Sequence, residues 1–457
     1  MLIPLTATAL AAVSLVYHEI FYRGTVYMQH TKKILAAAAA ILMFFSGCDI
    51  TKTVENIQGE VFEKTQFEDD TNYTIVTPAA YIESADYTAN SKISYGYDSL
   101  YKKSQRTCYD RISEAAYKIA EEPNSEGYYA IGKVKIDYKD FIDKDMDICI
   151  KAYTMDHPEV FWVTNRYTYG TVGSQSVIQL YSYVSGSECR NRINEMNDAV
   201  DKFISGIPAS LNQYHLEKYV HNAMLDGCSY AVGVQYAEDG WEEFTAYGAL
   251  VKGSAVCEGY AHAMCMLLNR VGIECYYANG YGENAPHMWN TVKIDGNWYH
   301  LDSTWDDNEN AYFNYFNLDD SRIQTDHVIE KVLSEINEDE ALPSIYNIFL
   351  PICSSDNANY FVVESTYIGD FEESRDVMVN DLIEAAQNGD DMFTVRLNED
   401  YDFNDALGVM FHEEPYYMFD YIKEANEYLD DEHQINNENL AIIMIENFNA
   451  FVVKLEY

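Results

Sequence analysis

The sequence is poor in basic side chains. It has 30 Lys and Arg against 74 Asp and Glu in 457 residues, which gives a formal net charge of −44. Proteins that bind nucleic acid neutralise phosphates with Lys and Arg, so this balance argues strongly against a nucleic-acid partner. The same charge repels anionic lipid headgroups, and attachment to a membrane therefore requires a covalent or inserted anchor.

The sequence also lacks the spacings that are typical of metal and redox sites. None of the nine cysteines forms a CxxC pair, which disfavours a zinc ribbon or a redox motif. His262, His300 and Asp306 lie near the candidate site described below in the sequence. Their spacing does not match a metal-binding motif such as HExxH. We therefore expect no metal and no cofactor. A hydrophobic content of 48% predicts packed cores, and the length predicts two or three domains.

Residues 28–48 have the layout of an export signal. A basic stretch at 28–33 precedes an apolar run at 34–45, and Ser46-Gly47-Cys48 follows. This end resembles the lipobox of bacterial lipoproteins, which implies cleavage before Cys48 and acylation of its thiol; a retained membrane helix and a plain secretory signal are the alternatives. We expect Met28 to be the true start, residues 1–47 to be a signal region and 48–90 to be a flexible tether.

Cys257 opens a predicted helix. Apolar residues recur at helical spacing from Val256 to Val271, Gly272 ends the pattern, and Ser254 is a suitable N-cap. The unpaired N–H groups of a first helical turn favour a thiolate, as nucleophilic catalysis requires. A buried core cysteine is the alternative that the helix alone does not exclude.

A predicted hairpin follows the helix. Residues 288–294 and 297–304 are extended runs joined at Asp295-Gly296, a strong turn signal. If Ile294 pairs with Asn297, then His287 and Asp302 point from one face of the sheet as diagonal neighbours, roughly 7–8 Å apart at the backbone. A carboxylate can then reach an imidazole nitrogen.

A cysteine at a helix start facing a His–Asp pair has the form of a catalytic triad. In this hypothesis Cys257 attacks a carbonyl, His287 accepts and returns the proton, and Asp302 fixes the imidazole tautomer. The backbone N–H of Cys257 is the natural first oxyanion donor. Tyr247 and Trp241 are candidates for the second donor.

Three blocks of sequence resemble the transglutaminase-like superfamily, in particular its bacterial surface-associated members. They read GSAVCEGYA from Gly253, HMWN from His287 and WYHLDSTW from Trp298. By motif position, Cys257, His287 and Asp302 match the family's catalytic residues. The resemblance implies an α+β, papain-like core, in which the helix that bears the cysteine packs on an antiparallel sheet. It also implies a thioester acyl-enzyme.

The predicted organisation places the catalytic domain at 187–330. Residues 91–186 are expected to form an N-terminal α/β accessory region and 331–457 a small C-terminal α/β domain. The predicted function is that of a lipid-anchored, extracytoplasmic thiol enzyme on the bacterial cell membrane, acting on protein or peptide amides. The acceptor is water or an amine, with hydrolysis slightly favoured. The alternative is a non-catalytic surface module that binds peptide or glycan.

Overall fold

The computed structural model describes residues 60–61, 72–76, 94–172, 175–307, 313–438 and 440–457. The predicted signal region, Cys48 and most of the predicted tether lie outside these residues. None of the described helices combines the length and the apolar composition needed to cross a bilayer. Mixed helices and largely antiparallel sheets agree with the predicted α+β class. The predicted domain boundaries remain predictions.

The N-terminal part of the described chain is built around a sheet. Its strands are β1 (Glu60–Val61), β2 (Tyr73–Ile75), β3 (Lys118–Pro123), β4 (Tyr129–Ile131), β5 (Val134–Ile136), β6 (Val163–Val172) and β7 (Gln175–Ser182). They are ordered β1-β6-β7-β4-β3-β2, with β5 also paired to β7. Strand β4 lies between β3 and β7, whereas β5 pairs with a different part of β7.

Two short pieces of the tether predicted at 48–90 belong to strands. Strand β1 pairs in parallel with β6, and β2 pairs with β3 in antiparallel register. The side chain of Thr74 in β2 also bonds Glu121 of β3. Backbone pairing at a sheet edge therefore fixes these two pieces, although the surrounding composition is typical of a linker.

Four helices accompany this sheet: α1 (Tyr95–Ser99), α2 (Lys103–Ala115), α3 (Asp143–Asp156) and α4 (Gly186–Ser205). Helix α2 ends at Ala115, because residues 118–123 join the sheet. Helix α4 is capped by Ser185, whose hydroxyl accepts from the N–H of Glu188.

The middle of the chain carries the predicted site. Its helices are α5 (Gln213–Gly227), α6 (Ala237–Gly240), α7 (Cys257–Arg270), α8 (Ser303–Asp306) and α9 (Asp320–Ile323). Its strands are β8 (Ser229–Tyr230), β9 (Ser254–Ala255), β10 (Cys275–Gly282), β11 (Ala285–Ile294), β12 (Asn297–Leu301), β13 (Phe316–Leu318) and β14 (His327–Ile329). Strands β10 to β14 form an antiparallel sheet ordered β13-β12-β11-β10-β14.

The register predicted for the hairpin is confirmed. Ile294 pairs with Asn297 across a two-residue turn, and both turn residues, Asp295 and Gly296, have positive φ of 48° and 89°. The second strand is shorter than predicted. It ends at Leu301, and residues 303–306 turn into α8, because the carboxylate of residue 302 caps that helix.

The C-terminal part has its own helices and sheet. Its elements are α10 (Tyr360–Val363), β15 (Thr366–Ile368), α11 (Arg375–Asn388), β16 (Met392–Leu397), α12 (Phe403–Leu407), α13 (Tyr417–Asn426), β17 (Ala441–Ile445) and β18 (Ala450–Lys454). Strands β17 and β18 pair as an antiparallel hairpin. The Asn359 side chain accepts from the N–H of Phe361 and starts the helical turn α10.

Short 3₁₀ and π turns complete the chain: the 3₁₀ turns are Glu242–Phe244, Leu333–Glu335 and Glu446–Phe448, and the π turns are Gly248–Lys252 and Gly408–His412. One apolar cluster joins the C-terminal sheet to the middle sheet. It includes Trp289 of β11, Leu318 of β13 and Val452 of β18. The C-terminal part therefore packs directly behind the strand that carries His287.

Candidate active site

Cys257 is the first residue of α7 and is partly exposed. The chain before it is extended, because β9 pairs in parallel with β8. Ser254 belongs to that strand and is not the N-cap that the sequence suggested. Val256 takes the N-cap position and offers no capping side chain. The N–H groups of the first turn are therefore free of a side-chain cap beside the thiol, where they favour negative charge.

Asn290 of β11 links the cysteine helix to the sheet. Its buried side-chain amide donates to the carbonyl oxygens of Ala261 in α7 and Tyr276 in β10, both at 3.0 Å. These bonds join the helix to two neighbouring strands. They hold α7 at a fixed distance from the strand on which His287 lies.

His287 and Asp302 are in direct contact. The imidazole Nε2 donates to Asp302 Oδ2 at 2.6 Å. The other oxygen, Oδ1, accepts from the N–H groups of Thr304 and Trp305 at 3.0 and 3.2 Å, and so caps α8. The sequence predicted this contact but not its geometry. The prediction placed Asp302 on a strand, whereas Asp302 occupies the N-cap position of α8.

The charges of the site favour the imidazolium form of His287. Burial opposes the charged form of His287, yet Asp302 and the neighbouring Cys257 together raise the pKa of His287 to about 10. Burial likewise opposes ionisation of Asp302, but His287 and His327 hold the pKa of that carboxyl below its ordinary value. Because Nε2 of His287 faces Asp302, Nδ1 is the nitrogen left for the thiol.

His327 is a site residue that the sequence did not reveal. It lies on β14, which pairs with β10, and its Nε2 donates to Asp302 Oδ2 at 3.1 Å. Its Nδ1 donates to Asp326 Oδ1 at 2.6 Å. The ring packs on Trp305 with centroids 4.3 Å apart. The only sequence signal is the Asp326-His327 dipeptide, which by itself indicates no contact with a residue 25 positions earlier.

His300 is another buried histidine on the same sheet. The indole Nε1 of Trp289 donates to His300 Nδ1 at 3.0 Å, and His300 Nε2 lies 2.9 Å from Asp320 Oδ1. An indole nitrogen only donates, so Nδ1 of His300 accepts and Nε2 carries the proton. His300 is thereby fixed as one neutral tautomer, and burial lowers its pKa despite Asp320.

Two groups of potential metal ligands occur among the described residues: His287, Asp302 and His327, and His300, Asp320 and Cys353. Neither donor set suits a metal. Both nitrogens of His327 face carboxylates, which only accept, so both carry protons and no lone pair is left. The nitrogen that His300 would offer is the protonated Nε2.

The other residues that the sequence suggested as metal ligands make contacts outside these two groups. Asp306 is buried and its Oδ2 lies 3.1 Å from Nε2 of His221, a residue that the sequence analysis missed. Nδ1 of His262 lies 3.0 Å from the hydroxyl of Tyr277. Each of these contacts belongs to a separate packing environment, so the three residues named from sequence do not form one cluster.

The structure does not support the two side chains suggested as oxyanion donors. The hydroxyl of Tyr247 donates to Glu195, and the residue is buried. The ring of Trp241 stacks on Tyr183 with centroids 4.7 Å apart. Tyr247 belongs to the main apolar core, and Trp241 is partly buried against that core.

Tyr230 is a closer neighbour of the thiol that no sequence pattern indicated. It pairs with Ala255 across the two-stranded ladder that leads into Cys257, and it is 46% exposed. Burial first, and then the negative charges of Cys257 and Asp302, raise the pKa of Tyr230. Tyr230 therefore lies close enough to Cys257 and Asp302 for their charges to act on its hydroxyl.

Comparisons with known proteins point to the same region. Residues 203–303 match the family model of the Transglutaminase-like superfamily, and this span contains Cys257, His287 and Asp302. A comparison with curated proteins finds no match.

Solved structures that the chain is similar to include one described as a TGase, with 13% identity, a TM-score of 0.23, and coverage of 38% of this chain and 50% of that one. A proposed cysteine protease from Cytophaga hutchinsonii has 14% identity, a TM-score of 0.21, and coverage of 30% and 61%. A proposed protease from Parabacteroides distasonis has 12% identity, a TM-score of 0.18, and coverage of 30% and 35%. The chain thus spans between about a third and three fifths of the length of these proteins.

Proposed function

We propose that the protein is a thiol enzyme that cleaves or transfers acyl groups of protein or peptide amides through a thioester on Cys257. The observation that carries this proposal is the bond from His287 Nε2 to the ionised Asp302, which leaves the other ring nitrogen for the thiol. The family match over residues 203–303 supports the same reaction class. We further propose that α7 and the β10–β14 sheet together form a transglutaminase-type, papain-like core.

The proposed reaction begins with an ion pair. The Cys257 thiolate attacks the amide carbonyl carbon, a C–S bond forms, and the carbonyl oxygen becomes an oxyanion. The N–H of Cys257, at the uncapped start of α7, is the proposed first oxyanion donor. The His287 imidazolium then protonates the leaving nitrogen. The C–N bond breaks, and a thioester remains on the enzyme.

The second half of the reaction uses the neutral imidazole as a base. His287 removes a proton from the acceptor, which attacks the thioester carbonyl and releases the thiolate; His287 is again protonated. Asp302 keeps the ring oriented through both steps, since its second oxygen is anchored by two backbone N–H groups. With water as the acceptor the product is an acid, and with an amine it is a new amide. We propose water as the main acceptor.

We also propose that the enzyme acts outside the cytoplasm, anchored to the bacterial membrane by acylation of Cys48. The support is the order of basic, apolar and small residues in 28–48. Metabolic labelling with a radioactive fatty acid tests this part. Label should enter the wild type and be absent from Cys48→Ala; equal labelling of both would contradict the anchor.

A glutamine-containing peptide, incubated with and without a primary amine, tests the reaction itself. Ammonia release in the absence of the amine indicates amidohydrolase action, amine incorporation together with ammonia release indicates cross-linking, and new peptide termini indicate proteolysis. We expect all turnover to be lost in Cys257→Ala. The matched control is Cys265→Ala, which removes a buried thiol two turns further along the same helix. Equal turnover in Cys257→Ala and the wild type would refute the role of Cys257, and no turnover in the wild type would favour the binding module.

A further inference from the structure

Asp302 is shared by two histidines. Its Oδ2 accepts from Nε2 of His287 at 2.6 Å and from Nε2 of His327 at 3.1 Å, while Oδ1 caps α8. All three side chains are buried. A triad needs one histidine, so the second requires its own explanation.

The hydrogen bonds of His327 require it to carry a positive charge. Its two ring nitrogens face Asp302 and Asp326, and a carboxylate accepts but does not donate. Asp326 is itself held in place, since its Oδ2 accepts from the hydroxyl of Tyr315 at 2.7 Å. Burial disfavours the charge, but the bonds to Asp302 and Asp326 outweigh it and raise the pKa of His327.

This charge lies close to the reacting groups. The rings of His327 and His287 have centroids 5.3 Å apart, and a unit charge at that distance in a partly buried site shifts a titration by roughly one to two pH units. A positive neighbour makes it easier for the thiol–imidazole pair to lose its protons. The positive charge of His327 also partly neutralises the Asp302 carboxylate, which would otherwise hold the His287 imidazole proton more tightly.

We propose that His327 is a positioning residue for the reaction proposed above: its imidazolium holds the Asp302 carboxylate in place and lowers the pH at which the thiol–imidazole pair becomes reactive. The inference rests on the proposed function of Cys257. Other ionisable groups that act on these residues are Asp326, Asp306, Tyr230 and Tyr315. All four residues are present in every variant below: Asp326 loses its bond to the imidazole in His327→Gln, and Asp306 loses its contact with His221 in the control.

The test measures the rate at which iodoacetamide alkylates Cys257 as a function of pH, read by mass spectrometry of the Cys257 peptide. It uses the full chain as wild type, His327→Gln, His221→Gln and His287→Ala. Glutamine at 327 retains a donor for Asp302 but loses the charge. His221→Gln is the matched control, because His221 is equally buried and pairs with Asp306 instead of Asp302.

We expect the midpoints of the rate profile to move to higher pH by roughly one to two units in His327→Gln and to stay in place in His221→Gln. Unchanged midpoints in a folded His327→Gln would overturn the inference. If that variant does not fold, ¹⁵N-histidine NMR of the wild type decides, since His327 must show both ring nitrogens protonated at neutral pH. A neutral His327 overturns the proposal.

Failure of the proposed function has a different signature. If Cys257 is not part of an ion pair, the wild-type profile matches that of His287→Ala. If the ion pair exists but His327 does not act on it, the wild type differs from His287→Ala while His327→Gln matches the wild type. The two proposals are therefore tested separately by one set of curves.

Discussion

Glu217→Gln is expected to stabilise the fold in a strongly pH-dependent way. Glu217 lies on α5 with no exposed surface, and its Oε2 accepts from the amide of Asn317 at 2.8 Å. Its Oε1 and the Oδ1 of Asn317 have no partner among the described residues. Burial raises the pKa of Glu217 from 4.5 to about 8, despite the Asn317 bond. The folded protein therefore holds a proton that the unfolded chain releases above pH 4.5.

The sign and size of the effect follow from this difference in proton binding. Between pH 4.5 and about 8 the folded state binds more protons, so wild-type stability falls by about 1.4 kcal/mol per pH unit. At pH 7 the accumulated loss is about 3 kcal/mol, and above pH 8 it becomes constant. Glutamine is neutral at every pH and has a donor to offer Asn317, so it avoids this loss.

Urea unfolding at a series of pH values measures the difference. We expect Glu217→Gln and the wild type to be equally stable near pH 4, and the variant to be more stable by about 3 kcal/mol at pH 7. Glu126→Gln, at an exposed position, is the control and should show no such trend. A difference between Glu217→Gln and the wild type that is independent of pH would refute the reasoning.

Three further predictions concern the site itself. Asp302→Asn should reduce turnover of the peptide substrate by on the order of 10³- to 10⁴-fold, because an amide cannot fix the imidazole tautomer as a carboxylate does; turnover near wild type would contradict the triad. Asn290→Ala should lower the free energy of unfolding by about 2–4 kcal/mol, since the carbonyls of Ala261 and Tyr276 lose their donor; a loss under about 0.5 kcal/mol in urea unfolding would contradict this. EDTA should leave turnover unchanged, because His327 has no free lone pair for a metal; inactivation that zinc reverses would contradict that assignment.

The sequence predicted those parts of the site that depend on local structure. The Asp295-Gly296 turn determined the register of the hairpin, because positive φ at both residues is what a two-residue turn requires. Apolar spacing predicted the end of the cysteine helix at Arg270. The contact between His287 and Asp302 followed from these local features, even though Asp302 had left the strand.

The parts that were missed depend on pairing between distant segments. His327 reaches Asp302 only because β14 pairs with β10, and nothing within residues 326–329 indicates that partner. Ser254 was assigned to a helix cap because its pairing with Ser229 on β8 was not visible in the sequence. The bond of Tyr247 was missed for a similar reason: Tyr247 and Glu195 are 52 residues apart, and their bond removes that hydroxyl from the site.

The central claim is that His287 maintains Cys257 as a reactive thiolate. The most direct test compares the rate of iodoacetamide alkylation of Cys257 at pH 6 in the wild type and in His287→Ala. An ordinary thiol is almost entirely protonated at that pH, so the wild type should react roughly 10- to 100-fold faster than the variant. Equal rates in the two folded proteins would contradict the claim.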